Sequence, residues 1–310
     1  MPVKPVDLAG CKLLITGPTG QVALPVVEHF APIADVYALA RFSKSEDREK
    51  IGALGATVIQ ADLAKPETLQ AIPDDIDYVL NFAVVKSGDF DYDLAANAEG
   101  LGHLMMQCRK ARAFVHFSST AVYEYAGHEP RSENAPLGDN HRVMFPTYSI
   151  SKIAAEAVCR FAAHQQNIPT TIARLSVPYG DNGGWMYFHM LMMQQGIPIE
   201  LHPDKPNYYN PLHTQDYIEK IPYLLGAASS EVTTVNFGGS QQVSIEEWCA
   251  YIGELTGFEA VFTENPKAFG SLAIDTAKMH ELIGPTHVDW REGIRSQIEH
   301  LAPHWLLSQD

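Results

Sequence analysis

The sequence predicts an α/β protein, a doubly wound parallel sheet with a smaller mixed C-terminal domain. Three observations carry this. Short apolar runs alternate with helical periodicity up to about residue 176. The first run ends in a glycine turn that opens a helical pattern. Beyond residue 177 the regular alternation stops.

The 310 residues are 46% hydrophobic and 19% charged, enough for one large domain or two smaller ones. A net charge of -15, from 22 Lys+Arg against 37 Asp+Glu, argues against nucleic-acid binding, which needs a basic face. Cys11, Cys108, Cys159 and Cys249 lie far apart without a C-x-x-C pair. Neither a disulfide framework nor a zinc site is expected. His189, His202 and His213 lack ligand spacing, so no metal is expected either. The start lacks the apolar run of a signal peptide and no stretch approaches a membrane span. The expectation is a cytoplasmic protein with a small-molecule substrate and no membrane partner.

The first strand, Lys12–Ile15, runs into Thr16-Gly17-Pro18-Thr19-Gly20-Gln21-Val22-Ala23. Glycines let a backbone approach a pyrophosphate, so Gly17, Thr19, Gly20, Gln21 and Val22 are candidate dinucleotide contacts. The second strand, Asp35–Ala40, ends at Arg41, with Lys44 close by. A carboxylate there would suit the ribose of NAD and an arginine the 2′-phosphate of NADP, so NADP is favoured over NAD. The third strand, Thr57–Ala61, leads to Asp62 and Leu63 on the adenine side, and the fourth, Tyr78–Val84, carries Phe82 and Ala83 under a cofactor. A helix is expected through Leu94, Asn97, Leu101, Leu104, Met105 and Cys108. The Rossmann-type domain thus spans residues 1–176, with a return near 210–240, and the smaller domain 177–310 is interleaved with it.

Downstream, Ala113–Phe117 runs into Ser118-Ser119-Thr120, hydroxyls at the end of a parallel strand, where ligands bind in such sheets. Tyr148 and Lys152 stand four residues apart on the next helix, hence on one face. An ammonium beside a phenol favours the phenolate, giving a proton shuttle near neutral pH.

These motifs resemble the extended short-chain dehydrogenase/reductase family, the group containing NAD-dependent epimerases and dehydratases. The resemblance is carried by Thr16-Gly17-x-x-Gly20-x-x-Ala23, Asp62-Leu63, Asn97, Ser118-Ser119-x-x-Val122-Tyr123, Tyr148-x-x-x-Lys152, Arg174 through Tyr179-Gly180-Asp181, Pro211–Asp216, Val235–Gly239 and Asp275-x-x-Lys278. It implies Tyr148 as acid/base and Lys152 as the residue that holds the nicotinamide ribose and lowers the Tyr148 pKa. Ser119 would bind the reacting oxygen, with Thr120 as runner-up, and Asn97 would order the helix and a water. It also implies a homodimer built on the helices starting near Asp89 and Tyr148, for which Leu101, Met105, Cys108 and Phe161 offer apolar contacts.

The segment that should choose the substrate contains Tyr179 and the Trp185–Met193 helix, expected to be mostly core; Tyr179 and Trp185 are candidate substrate contacts. From Asp181 to Thr214 there is one Lys (Lys205) and no Arg. A diphosphate without cationic partners is poorly held, unless Arg291 or Arg295 supplies them. The leading expectation is therefore an NADP-dependent oxidoreductase interconverting a secondary alcohol and a ketone or aldehyde on a small substrate, aromatic compounds being among the candidates. The alternative is a nucleotide-sugar epimerase or dehydratase with tightly bound NAD. A dinucleotide-sensing regulator would have no need of the Tyr/Lys pair. Helices are also expected around Ile245–Leu255 and Trp290–Leu301, with a short strand at Phe258–Phe262.

Overall fold

The computed structural model describes residues 2–308. Its N-terminal part alternates β1 (Lys12–Thr16), α1 (Leu24–Phe30), β2 (Asp35–Ala40), α2 (Ser45–Ala53), β3 (Thr57–Gln60), β4 (Tyr78–Asn81), α3 (Phe90–Leu94), α4 (Gly100–Gln107), β5 (Ala113–Ser119), α5 (Tyr148–Gln166) and β6 (Thr170–Leu175). There follow β7 (Pro178–Gly180), β8 (Gly183–Gly184), α6 (Trp185–Gln194), β9 (Ile199–Leu201), β10 (Tyr208–Tyr209), β11 (Leu212–His213), α7 (Thr214–Gly226), β12 (Thr233–Phe237), β13 (Val243–Ser244), α8 (Ile245–Thr256), β14 (Phe262–Glu264), α9 (Ala277–Ile283) and α10 (Trp290–Leu301).

Seven strands form one sheet in the order β12-β6-β5-β4-β1-β2-β3, and every pairing is parallel. Such a sheet is covered on both faces, which is why its strands read as continuous apolar runs. Leu13 and Ile15 pack on one face with Val26, Val27 and Phe30, while Leu14 packs on the other with Leu101, Leu104 and Met105. The strand order reverses between β1 and β4, and a crevice opens at such a point beyond the strand ends.

Several local expectations are corrected. β4 stops at Asn81 instead of reaching Val84, because its partner β1 stops opposite it at Thr16. The helix expected over Leu94–Cys108 is interrupted by a π-helical turn at Ala95–Glu99. The late strand begins only at Phe262, where β14 pairs with β9; residues 258–261 lead into it. Leu101, Met105 and Cys108 are buried within the monomer beneath the sheet, so they are not surface contacts. Phe161 (68% exposed) and Met106 (54%) face outward instead.

The C-terminal part has its own core of Met186, Met190 and Met193 from α6, Trp248 and Ile252 from α8, and Ile294 and Ile298 from α10. The three methionines recur at helical spacing, which accounts for their burial. Among the described residues no helix is long and apolar enough to cross a membrane.

Candidate active site

A cleft of about 390 Å³ opens at the strand ends, lined by Gly17, Thr19, Gly20, Arg41, Ser43, Lys44, Asp62, Leu63, Phe82, Ala83 and Asn97 among others. Gly17 adopts φ +67, and a Cβ there would stand 3.0 Å from the Ala83 Cα. Only glycine allows both the left-handed turn and this approach. The neighbouring Thr16 hydroxyl donates to Asn81 Oδ1 (2.6 Å) and accepts from the Ala83 amide (3.1 Å), which fixes the cleft floor. At the end of β2, Phe42 takes a positive φ of 43 and turns the chain, so that Arg41, Ser43 and Lys44 surround one end of the cleft.

These residues fit a dinucleotide. Gly17–Gly20 would face the pyrophosphate, Asp62 and Leu63 the adenine side, and Arg41 with Lys44 the ribose substituent. Gln21 and Val22 lie outside the cleft lining: the Gln21 carbonyl accepts from Asn182 and the Val22 carbonyl from the Tyr217 hydroxyl, tying the turn to the C-terminal part.

Tyr148 opens α5 and Lys152 follows one turn later. The Ser119 hydroxyl, at the end of β5, lies beside the phenol and favours its ionisation, although burial dominates and holds the phenol above its ordinary value. Lys152 Nζ donates to the Phe117 carbonyl (2.8 Å), and burial pulls the ammonium down to about 8, with Glu156 opposing. A buried ammonium needs an acceptor, and Lys152 takes one from β5. Ser119 accepts from the Ala121 amide (3.1 Å) and caps the turn in which Thr120 is buried.

Other residues of the motifs assemble outside the lining of the cleft. Glu156, one turn beyond Lys152, accepts from Ser118 (2.7 Å) and from Arg174 (2.9 and 2.7 Å), all buried. Burial works against the Glu156 carboxylate, but the bonds from Arg174 and Ser118 outweigh it and hold the carboxyl below its usual range. Arg174 also lies 4.8 Å over the Tyr123 ring, and the Tyr123 hydroxyl reaches Asn236. Tyr179 is 1% exposed and packs in the C-terminal core, outside the lining of both cavities. Trp185 likewise packs edge-on against Tyr209 and Trp248, although its ring also meets Phe269 at 6.2 Å.

Sequence reasoning missed a group of residues around Tyr148. A second cavity of about 220 Å³ is lined by His141, His202, Tyr125, Asn140, Lys267 and Phe269 among others. His141 stacks on Phe269 (4.2 Å between centroids) and meets Tyr148 (5.9 Å), linking this cavity to the candidate acid/base. Lys86 stands over the Tyr148 ring. No spacing rule points to Lys86, His141 or Lys267, which come from three irregular connections. Among the described residues no cluster of His, Cys, Asp and Glu could hold a metal.

The comparisons fit this geometry. UDP-glucuronic acid 4-epimerase of Bacillus cereus (a tyrosine-to-phenylalanine mutant, with a fluorinated UDP-glucuronic acid and NAD) superposes with a TM-score of 0.80 at 17% identity, over 95% of this chain and 100% of that one. UDP-glucose 4-epimerase of Thermotoga maritima, with UDP-glucose, gives 0.80 at 19%, over 94% and 99%. The dTDP-glucose 4,6-dehydratase of Streptomyces venezuelae, with NAD bound, gives 0.78 at 18%, over 95% and 98%. Likenesses this distant establish the fold. Among curated proteins none matches the chain by sequence. The model of the NAD dependent epimerase/dehydratase family, however, matches residues 13–238, most of the chain and both the glycine turn and the Tyr148–Lys152 helix. The chain therefore belongs to the NAD-dependent epimerase/dehydratase family.

Proposed function

We propose that the chain is an epimerase or dehydratase acting on a sugar linked to a nucleoside diphosphate, with NAD held in the 390 Å³ cleft. The observation that carries this is the Ser119 hydroxyl beside the Tyr148 phenol, with Lys152 one turn on. When bound, the nicotinamide would supply hydride acceptance and return. The protein's part is to place the substrate carbinol, with Ser119 on its oxygen and Tyr148 taking or giving its proton. The sequence argument against a diphosphate was the lack of cations from Asp181 to Thr214. Lys267, in the wall of the second cavity, supplies a cation from elsewhere in the chain, and His141 and His202 add polar ring nitrogens to the same wall. The structural relatives, whose names give UDP- or dTDP-linked sugars as substrates, support the same reading.

A second reading is NADPH-linked interconversion of a small aromatic ketone and alcohol. The stacked His141–Phe269 wall and Arg41 at the ribose end of the cleft favour it. Two copies would pair through the outward faces of α4 and α5, where Met106 and Phe161 are exposed.

One preparation tests these together. Dinucleotide released on denaturation is expected to be NAD, and calorimetry should show micromolar binding of UDP-glucose, UDP-glucuronic acid or dTDP-glucose. Sedimentation should give a dimer, and a monomer at micromolar concentration would remove that assignment. Tyr148→Phe should lower turnover at least about 100-fold, the scale of acid–base catalysis. Failure of all three sugars to bind, with NADPH-dependent reduction of aryl ketones, would transfer the assignment to the second reading.

A further inference from the structure

We propose that Lys86 is a second cation for Tyr148, held over the phenol ring so that its charge stabilises the phenolate. The inference rests on Tyr148 being the acid/base. The Lys86 ammonium lies 4.8 Å from the Phe145 centroid and 5.2 Å from that of Tyr148, within the range of cation–π attraction. A phenolate ring presents a far more negative face than a phenol, so the attraction grows as the proton leaves. Lys152, whose ammonium donates to the Phe117 carbonyl, leaves that face to Lys86.

Among the described residues Lys86 makes no ion pair. Much of the residue is exposed, but its ammonium is tucked over the two rings. Withdrawing an ammonium from water without a carboxylate is costly, and desolvation lowers its affinity for the proton. The chain nevertheless pins it there. Before it, Asn97 holds the Val85 amide (2.7 Å) and carbonyl (2.8 Å). After it, Asp93 accepts from the Ser87 hydroxyl (2.6 Å) and from the amides of Ser87 and Gly88. The same two side chains grip the helix that carries Tyr148. Asn97 donates to Ser151 (3.1 Å), and Asp93 accepts from Thr147, the residue before Tyr148 (2.6 Å). Burial disfavours the Asp93 carboxylate, but the bonds it accepts outweigh this and keep it ionised. Lys86 and Tyr148 are thus set in register by shared clamps, which a lysine merely solvated on a loop would not need.

The other titratable groups around the pair leave it the ring face. His141 is held neutral, pushed down to about 4 by burial and by Lys86 itself, and Lys152 is countered by Glu156 on its own helix. Asp93 spends its oxygens on Ser87, Gly88 and Thr147.

The test compares Lys86→Arg with Lys86→Met, because arginine stays charged across the range in which tyrosine titrates while lysine does not. In each background, the ultraviolet difference between the Tyr148 and Tyr148→Phe proteins isolates the ionisation of this one phenol. The midpoint should lie about one pH unit lower in the Lys86→Arg protein than in the Lys86→Met protein. Lys86→Gln, which keeps a polar tip, should behave as Lys86→Met. Coincident midpoints for Lys86→Arg and Lys86→Met would overturn the proposal, as would a Lys86→Gln midpoint at the Lys86→Arg value. Undiminished turnover in Tyr148→Phe would instead remove the catalytic reading and leave the titration result standing.

Discussion

His189 has to be neutral. The Trp248 indole donates to its Nδ1 at 2.9 Å inside the C-terminal core, so that nitrogen must keep its lone pair. His116 is under the same demand. Asn81 spends its carbonyl on Thr16 and turns its amide nitrogen to His116 Nδ1 at 3.0 Å. Burial pushes His189 down to about 4 and His116 to about 3. Between the unfolded value near 6.5 and these folded values, the unfolded chain binds protons that the folded chain refuses. Stability is therefore unaffected above pH ~6.5 and falls as the pH drops below it. The paired carboxylates Glu156 and Asp93 are held below their ordinary values and add a loss only at lower pH, below the unfolded carboxylate range. Urea unfolding should show a nearly constant midpoint from pH 8 to 7 and, at pH ~5, a deficit of about 4 kcal/mol from the two histidines together; an unchanged midpoint would refute the neutral-histidine account. At this scale the sequence exposed only part of the site. Ser119, Tyr148 and Lys152 are candidates through the family resemblance and the order of the motifs, whereas burial of a histidine and the placing of Lys86 depend on distant segments that no local pattern encodes.

Helix α5 shows what an element inherits from its neighbours. Its apolar face is readable from periodicity, but its orientation is set by Asn97 on the π-helical turn and by Asp93 on α3. Inserted π turns recur near functional sites. The sequence concealed this one because the apolar spacing on either side of it still suits an α-helix. Immediately after that turn, Gly100 packs so tightly that a Cβ would lie 2.5 Å from the Leu63 carbonyl oxygen. Backbone cannot yield there as a flexible side chain could, so Gly100→Ala must displace either α4 or the Asp62–Leu63 wall of the cleft. A loss of about 1–3 kcal/mol of stability and dinucleotide binding weakened at least about tenfold are expected. Gly52→Ala on α2, where the nearest atom is an ordinary 3.9 Å away, serves as the control and should be neutral or slightly stabilising. Calorimetric binding equal in Gly100→Ala and wild type would show that the wall tolerates the shift.

For the whole molecule, the telling element is β12, which leaves the C-terminal part to pair with β6 at the edge of the main sheet. The alternation of strand and helix made the sheet legible from the sequence, and the apolar run at Thr233–Phe237 suggested the return. How much of one core the later segments supply could be read only from packing. Leu212, Tyr217, Ile221, Leu224, Leu225, Val235, Phe237, Met279 and Ile283 all join the cluster that covers β1 and α1. A side chain of this size contributes about 1.5–3 kcal/mol when buried, so a piece ending at residue 176 loses the partners of a surface worth roughly 10–25 kcal/mol. Domain stabilities are about 5–15 kcal/mol, and the loss is too large for the piece to survive. The 1–176 fragment should therefore bind a hydrophobic dye, melt without a cooperative transition and fail to retain dinucleotide, although it contains every residue lining the larger cleft. Limited proteolysis of the full chain should likewise yield no stable product of that length. A 1–176 fragment with a sharp melt and dinucleotide affinity within a few-fold of the full chain would mean that the sheet is self-sufficient and the later segments only cover it. On the packing found here, the cleft depends on them for its existence.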